Sequence, residues 1–227
     1  QNFEYFKITA YEAAAEGLLK LEEIEQAKRD LPERVFNELY LAEASDDGTN
    51  PFGGTDRIRQ QIRTISNKAA IAYGVDLAKS VDWTCIVGLD EDGCVCELKR
   101  FQSDWSQTRQ MIIATCGTKP VLIDSTGVGD SITEDLQRAM RNVEGFKFTQ
   151  NSKQQIMEGL ASAIHQNKVF YPEGQLVDEL TNFEYEYTRL GVKYTAPQGL
   201  HDDTVCALAL ALKKWSEVSR KGHYMIR

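Results

Sequence analysis

Residues 205–212, Val-Cys-Ala-Leu-Ala-Leu-Ala-Leu, carry no polar side chain. A helix that is apolar on every side is buried, because a surface helix keeps one polar face. The pattern predicts one helix over residues 203–218 that the rest of the fold must enclose. Its entrance is an adjacent pair of acids, Asp202 and Asp203. Neighbouring carboxylates repel each other. At the mouth of a buried helix they need solvent, the positive helix N-terminus or a cation to be tolerated.

The remaining elements are read from periodicity and turn chemistry. Thr9-Ala10-Tyr11-Glu12 has the spacing of a capping box. Good helix formers run from residue 10 to 27, and a second short helix is expected over 32–42. The turn-forming run Ser45-Asp46-Asp47-Gly48-Thr49-Asn50-Pro51-Phe52-Gly53-Gly54 reads as a linker or long loop. Residues 1–60 are thus expected to form a helical segment with a linker, and 61–227 a separate domain. In the latter, an apolar strand over 69–75 ends at Asp76. Strands over 84–89 and 94–101 flank Asp90-Glu91-Asp92-Gly93, a hairpin turn. A helix over 105–116 leads to a short strand over 121–123 that ends at Asp124. Helix, strand, helix and strand follow over 131–142, 146–149, 152–167 and 169–171, then a hairpin of 185–189 and 192–195 turning at Gly191. A hairpin meander followed by alternating helices and strands implies an α/β fold, a mixed β-sheet flanked by helices. No internal repeat or low-complexity tract occurs.

Charge and cysteine content narrow the function classes. The 227 residues carry a net charge of −8. Residues 1–60 hold 13 acidic and 7 basic side chains, leaving 21 and 19 for 61–227. The later segment is therefore near neutrality, and cations bound at its acids would bring it to neutral or positive, so nucleic acid is not excluded. The five cysteines form an odd set without zinc spacing, which reads as free thiols of a reducing cytoplasm. No apolar run spans a bilayer and no signal-peptide pattern opens the chain. The first residue is Gln1, as expected for a processed or excised product.

Asp76 and Asp124 each terminate an apolar strand, where side chains of α/β sheets reach a ligand crevice. A single Asp after a strand is usually a turn residue, and an Asp at a helix start usually a cap. Three such acidic positions that one sheet can bring together point instead to an oxygen-only site for Mg²⁺ or Mn²⁺. Two such ions roughly 4 Å apart would activate water and stabilise the leaving oxygen of a phosphodiester.

The run Tyr73-Gly74-Val75-Asp76-Leu77-Ala78-Lys79-Ser80-Val81-Asp82-Trp83-Thr84 resembles the first strand and hairpin of the C-terminal nuclease domain of phage terminase large subunits. Val121-Leu122-Ile123-Asp124-Ser125-Thr126-Gly127-Val128-Gly129-Asp130 is similar to that family's second acidic motif, and Gly199-Leu200-His201-Asp202-Asp203-Thr204-Val205-Cys206-Ala207-Leu208-Ala209 to its third. The three stand in family order. The resemblance implies an RNase H-like fold and a divalent-metal endonuclease that cuts double-stranded viral DNA during genome packaging. It implies Asp76, Asp124 and Asp203 as catalytic metal ligands of two Mg²⁺ or Mn²⁺ ions, with Asp202 a fourth or alternative ligand. Residues 1–55 are similar to the segment that joins the family's packaging ATPase to its nuclease. The implied partners are double-stranded DNA, the portal protein, the small terminase subunit and the ATPase domain of the same parent chain, with no membrane. The implied location is the host cytoplasm, at the procapsid. No G-x-x-x-x-G-K-[ST] occurs, so ATP hydrolysis is not expected of this sequence.

Lys79, Lys153, Arg189, Lys193 and His201 are candidate DNA contacts. For each the ordinary alternative is a turn, surface or loop side chain, and a solvated surface lysine is the commoner case for Lys153. The basic tail, Lys213, Lys214, Arg220, Lys221 and Arg227, can bind phosphate without specificity or simply complement the helix dipole. Two rival readings stand beside the nuclease. Actin-like ATPases and sugar kinases also place an Asp after a first strand, and Asp124-Ser125-Thr126-Gly127 suits their phosphate loop; Leu77-Ala78 after Asp76 does not, lacking the glycine that lets backbone approach phosphate. A non-catalytic RNase H-like docking module of a packaging motor is the other.

Overall fold

The computed structural model describes residues 7–31, 33–43, 50–77, 83–127, 129–188, 191–197 and 200–224. The chain divides into two compact units, Gln1–Gly48 and Thr49–Arg227. In the first, helices α1 (Ala10–Ala15), α2 (Leu21–Asp30) and α3 (Glu33–Tyr40) gather around Ile24 and Phe36. The capping box forms as its spacing requires, the Thr9 side chain and Glu12 each accepting from the other's backbone N–H. The helix expected to continue to residue 27 instead breaks at Gly17. That glycine adopts φ +76°, and Gly17 and Leu18 donate back to the carbonyls of Ala14 and Ala13. This pair of bonds is a Schellman stop, which a glycine admits without steric cost.

The second unit starts with a short helix, α4 (Gly54–Arg59), within the stretch read as linker. Buried Asn50 fixes it by donating to the carbonyls of Leu180 and Thr181, while Phe52 and Ile58 are fully enclosed. A five-stranded sheet follows, made of β1 (Ala72–Asp76), β2 (Thr84–Leu89), β3 (Val95–Phe101), β4 (Val121–Asp124) and β5 (Val143–Phe146). Its order is β3-β2-β1-β4-β5, with β1, β2 and β3 antiparallel and β1, β4 and β5 parallel. Helices α5 (Trp105–Cys116) and α6 (Gly129–Ala139) cover one face. On the other lie α7 (Gln150–His165), α8 (Gln175–Thr181) and α9 (Asp203–Tyr224). A separate hairpin pairs β6 (Glu184–Thr188) with β7 (Gly191–Thr195). The mixed sheet between helical layers is the expected α/β, RNase H-like architecture.

Three local expectations change. The strand placed at 146–149 lies earlier, as β5, because Thr149 and Ser152 cap the next helix and end the strand before it. Residues 169–171 make only isolated bridges, Ile62 with Tyr171 and Cys94 with Phe170. Gly191 begins β7 rather than forming the turn. Among the described residues no helix is long and apolar enough to cross a membrane.

Strand alternation sorts the sheet. Tyr73, Val75, Ile86, Val121 and Ile123 face α5 and α6, whereas Cys85, Val87, Leu89 and Leu122 face α7, α8 and α9. Residues 205–212 of α9 are all buried, with the sheet beneath and α7 and α8 beside them. The contact with β1 depends on Gly74. A β-carbon there would fall 2.1 Å from the Ala207 carbonyl oxygen and 2.2 Å from the Ala211 nitrogen, both backbone atoms that cannot rotate away. Gly74→Ala should therefore cost about 3 kcal/mol or more. Urea unfolding at equilibrium measures it, and a loss below about 1 kcal/mol would mean that α9 does not sit on β1 this closely.

Candidate metal centre

The register of β1 with β4 pairs Tyr73 with Val121, Gly74 with Leu122 and Val75 with Ile123. One step further, Asp76 and Asp124 end neighbouring strands side by side. By alternation both belong to the face that carries α9, and α9 begins there at Asp203. Asp202 accepts the first helical hydrogen bond, from Cys206 at 2.8 Å through its backbone oxygen. The four acids singled out in the sequence thus lie near enough for the charges of Asp124, Asp202 and Asp203 to act on Asp76.

Asp124, Asp202 and Asp203 are each held by a partner. Asp124 is buried, and its Oδ1 accepts from the Thr126 backbone N–H at 2.8 Å and the Thr126 hydroxyl at 2.5 Å. Thr126 in turn accepts from the Phe148 N–H. Asp202 accepts from Lys153 Nζ at 2.7 Å, and Lys153 lies in the first turn of α7, inside the cluster rather than in solvent. Asp203, more deeply buried, stands 3.4 Å from an Arg100 guanidinium nitrogen and 3.6 Å from His201 Nδ1. Two charged residues here were not anticipated, Arg100 beside Asp203 and Glu179 beside Arg100. Arg100 comes from β3 and lies 4.0 Å over the Trp83 ring. Glu179 comes from α8, is itself buried, and accepts from the Thr204 N–H (2.8 Å), the Thr204 hydroxyl (2.5 Å) and the Val205 N–H (3.4 Å). It thereby caps α9 from a different helix. The acid within the apolar run Leu176-Val177-Asp178-Glu179-Leu180 was the only available signal for it.

The charges are unevenly matched. Burial, and then the charges of Asp124, Asp202 and Asp203 in that order, hold the Asp76 carboxyl well above the usual carboxylate range, with Lys153 pulling the other way. Burial works to lower the Lys153 ammonium, but the Asp202 carboxylate, through charge and hydrogen bond, and Asp76 outweigh this and raise it, so it stays charged. Buried Cys206 and Cys85, on either side of the acids, have thiols pushed up by burial first and by the nearby carboxylates second. They remain protonated and are poor metal ligands. With all groups ionised, Asp76, Asp124 and Asp202 face one ammonium, which leaves two negative charges, the amount a single divalent cation neutralises. The donors are hard oxygens, which suits Mg²⁺ or Mn²⁺. Among the described residues, no three His, Cys, Asp or Glu side chains already converge closely enough to hold an ion.

The other candidates fall elsewhere. His201 is 47% exposed at the rim. Lys193 is exposed on β7, with no described contact to the acids. Lys79 and Arg189 lie outside the described residues. In the basic tail, Lys213 pairs with Glu217, and Lys214 with Glu144 and Glu217. Arg220 is exposed, and the side chains of Lys221 and Arg227 lie outside what is described.

A family model described as the terminase RNaseH-like domain matches residues 73–214, a span that contains all four acids. The chain belongs to this terminase family. The large terminase nuclease of thermophilic phage G20c, solved with bound magnesium, is 26% identical, with a TM-score of 0.63 over 75% of this chain and 99% of that one. Its cobalt-bound form is 25% identical, with the same TM-score and coverage. The large terminase nuclease domain of Thermus phage P74-26 is 25% identical, with a TM-score of 0.59 over 71% and 93% of the two chains. No curated protein matches the sequence.

The strain at Asp76 has a measurable consequence for this terminase domain when metal is removed. An acid whose folded pKa is raised contributes stability below its unfolded value, and that contribution is lost as pH rises through the folded value. Asp76→Asn cannot ionise, so at about pH 8 the metal-free variant should be the more stable by roughly 1–3 kcal/mol, converging with the parent at about pH 4. Urea titrations in EDTA at both pH values measure this. A variant less stable than the parent at the higher pH would refute the crowding of charge at this position.

Proposed function

We propose that this chain is the nuclease part of a phage large terminase and cuts double-stranded DNA during genome packaging by metal-dependent phosphodiester hydrolysis. The observation that carries this reading is the trio Asp76, Asp124 and Asp202, three carboxylates from two strand ends and a helix start with one ammonium between them. The family match and the magnesium- and cobalt-bound relatives support it.

Two Mg²⁺ or Mn²⁺ ions are the proposed cofactors. When bound, such ions lower the pKa of attacking water and stabilise the charge on the leaving oxygen. Asp76 and Asp124 would hold them from the strand ends. The support favours Asp202 over Asp203 as the third ligand, the reverse of the order suggested by the sequence. Asp202 is the more exposed, at 25% against 7% for the Asp203 side chain, and its charge weighs more on Asp76. Thr126 fixes the orientation of Asp124, and Lys153 that of Asp202. Lys153 is thus assigned to charge balance rather than to the DNA backbone. His201 at the rim and Lys193 on the hairpin, with Lys79 and Arg189, are the proposed phosphate contacts.

Residues 1–60 are proposed to derive from the connection to the packaging ATPase of the parent chain. Portal protein and small terminase subunit are the proposed partners, at the procapsid in the host cytoplasm. An actin-like or sugar-kinase reading loses its support once the family is known.

The test is incubation of the chain with supercoiled plasmid and Mn²⁺ or Mg²⁺. Cleavage without strong sequence preference is expected, abolished by EDTA and reduced at least 100-fold by Asp76→Ala or Asp202→Ala, the scale on which metal-site acids act. Equal cutting by parent and Asp76→Ala would overturn the assignment of the site. Carboxylate-independent Mn²⁺ binding without cutting would favour the docking module.

A further inference from the structure

We infer that the groove between α7 and the later turns of α9 is the docking site for an acidic amphipathic helix of a partner protein. None of the four acids lines this groove, so the inference is independent of the metal-nuclease reading.

Two helical stripes form its walls. α7 contributes Gln155, Gly159, Ser162 and Gln166, and α9 contributes Ala209, Leu212, Ser216 and Arg220, each in steps of three and four. Residues at that spacing share one face of a helix. The cavity between the stripes is about 440 Å³. From Ser152 to Gln166 the α7 wall runs about 21 Å, nearly four helical turns. Buried Ile156, Ala163 and Leu212 make the floor apolar, and half-buried Phe146 and Trp215 extend that surface. Two adjacent helices leave between them a furrow that a third helix fills, at axis separations of about 8–10 Å.

Gly159 is the residue that calls for an occupant. Inside a helix a glycine is less stable than an alanine. Elsewhere in this unit a close approach of backbone accounts for a glycine, from Ala207 at Gly74 and from Lys168 at Gly93. A β-carbon at Gly159 would meet nothing within 4 Å, and the position is exposed. Nothing among the described residues needs that gap, whereas a third helix lying close on α7 does. The rim sets the charge of the partner. Lys168, Lys213 and Arg220 line it against one acid, Glu217, which Lys213 meets at 3.5 Å and Lys214 at 3.1 Å. Lys168 and Arg220 are exposed and make no ion pair among the described residues. Duplex DNA would meet these cations and leave the apolar floor unfilled. A helix with acids beside an apolar stripe fills the floor and answers the rim.

The test is fluorescence anisotropy of two labelled helical peptides of about 18 residues, long enough to span the groove, titrated with the full chain. One carries leucine and alanine along one face flanked by glutamates, and its twin has lysines in place of the glutamates. The glutamate peptide should bind with a Kd below about 100 µM and roughly tenfold or more tightly than its twin. Gly159→Leu, which fills the furrow, should weaken it about tenfold or more, and Lys168→Glu/Arg220→Glu should reverse the preference between the twins. Gly159→Ala should raise the melting temperature of the free chain by about 1–4 °C while weakening the peptide about threefold, opposite directions that a merely structural glycine would not give. Circular dichroism melts confirm that each variant folds. Binding of neither peptide, equal binding of both, or unchanged affinity in Gly159→Leu would overturn the proposal. A short DNA duplex whose binding falls in Lys168→Glu/Arg220→Glu, with no binding of the glutamate peptide, would overturn it in favour of a nucleic-acid surface. If the charge-reversed variant does not fold, Gly159→Leu and the comparison of the twins decide.

Discussion

The approach of α9 to β1 is the contact on which the rest of the second unit depends. A wholly apolar helix lies on a strand whose central residue is Gly74, and backbone meets backbone where a methyl group would not fit. Burial of residues 205–212 drives the contact, and Gly74 sets its distance. Because the helix begins just past the ends of β1 and β4, the same contact brings Asp202 and Asp203 over Asp76 and Asp124. Hydrophobic packing thus supplies the energy that assembles a mutually repulsive set of charges.

Those charges separate into two groups along the sheet. At one end Asp76, Asp124 and Asp202 share Lys153 and retain a surplus of negative charge. At the other, Asp203 and Glu179 are answered by Arg100 and by the N–H groups that open α9. Two carboxylates against one guanidinium leave the second group a single negative charge, met by the N–H groups that open α9, while three against one ammonium leave the first group with two. Buried carboxylates are costly where unpaired, so the larger imbalance at the Asp76 end is what supports the proposed site there.

Much of this was legible in the sequence, for identifiable reasons. Asp76 and Asp124 were visible because a short apolar strand that stops at a carboxylate is a local pattern, and α9 because eight apolar residues leave no polar face. Arg100 and Glu179 were not visible. Arg100 acts on Asp203, more than a hundred positions away, and no local pattern encodes such a partnership. Within the run 45–54, read as a linker or long loop, turn formers dominate locally, and the bonds of Asn50 to α8 and the place of Phe52 in the core are contacts that no local pattern encodes. The break at Gly17 was overlooked because the residues around it favour helix, whereas the residue at 17 itself supplies the stop.

The cap on α9 reaches beyond geometry. Most helices carry their start signal in their own sequence, so they can begin to form alone. Here the groups that hold Thr204 and Val205 belong to Glu179, which must already be in place on α8. A nascent or partly unfolded chain that lacks this docking has no fixed start for α9, and Asp202 has no fixed address. The acidic cluster is therefore tied to the cooperativity of the whole second unit: it comes into being with the completed fold and is lost as soon as the last helix lifts away.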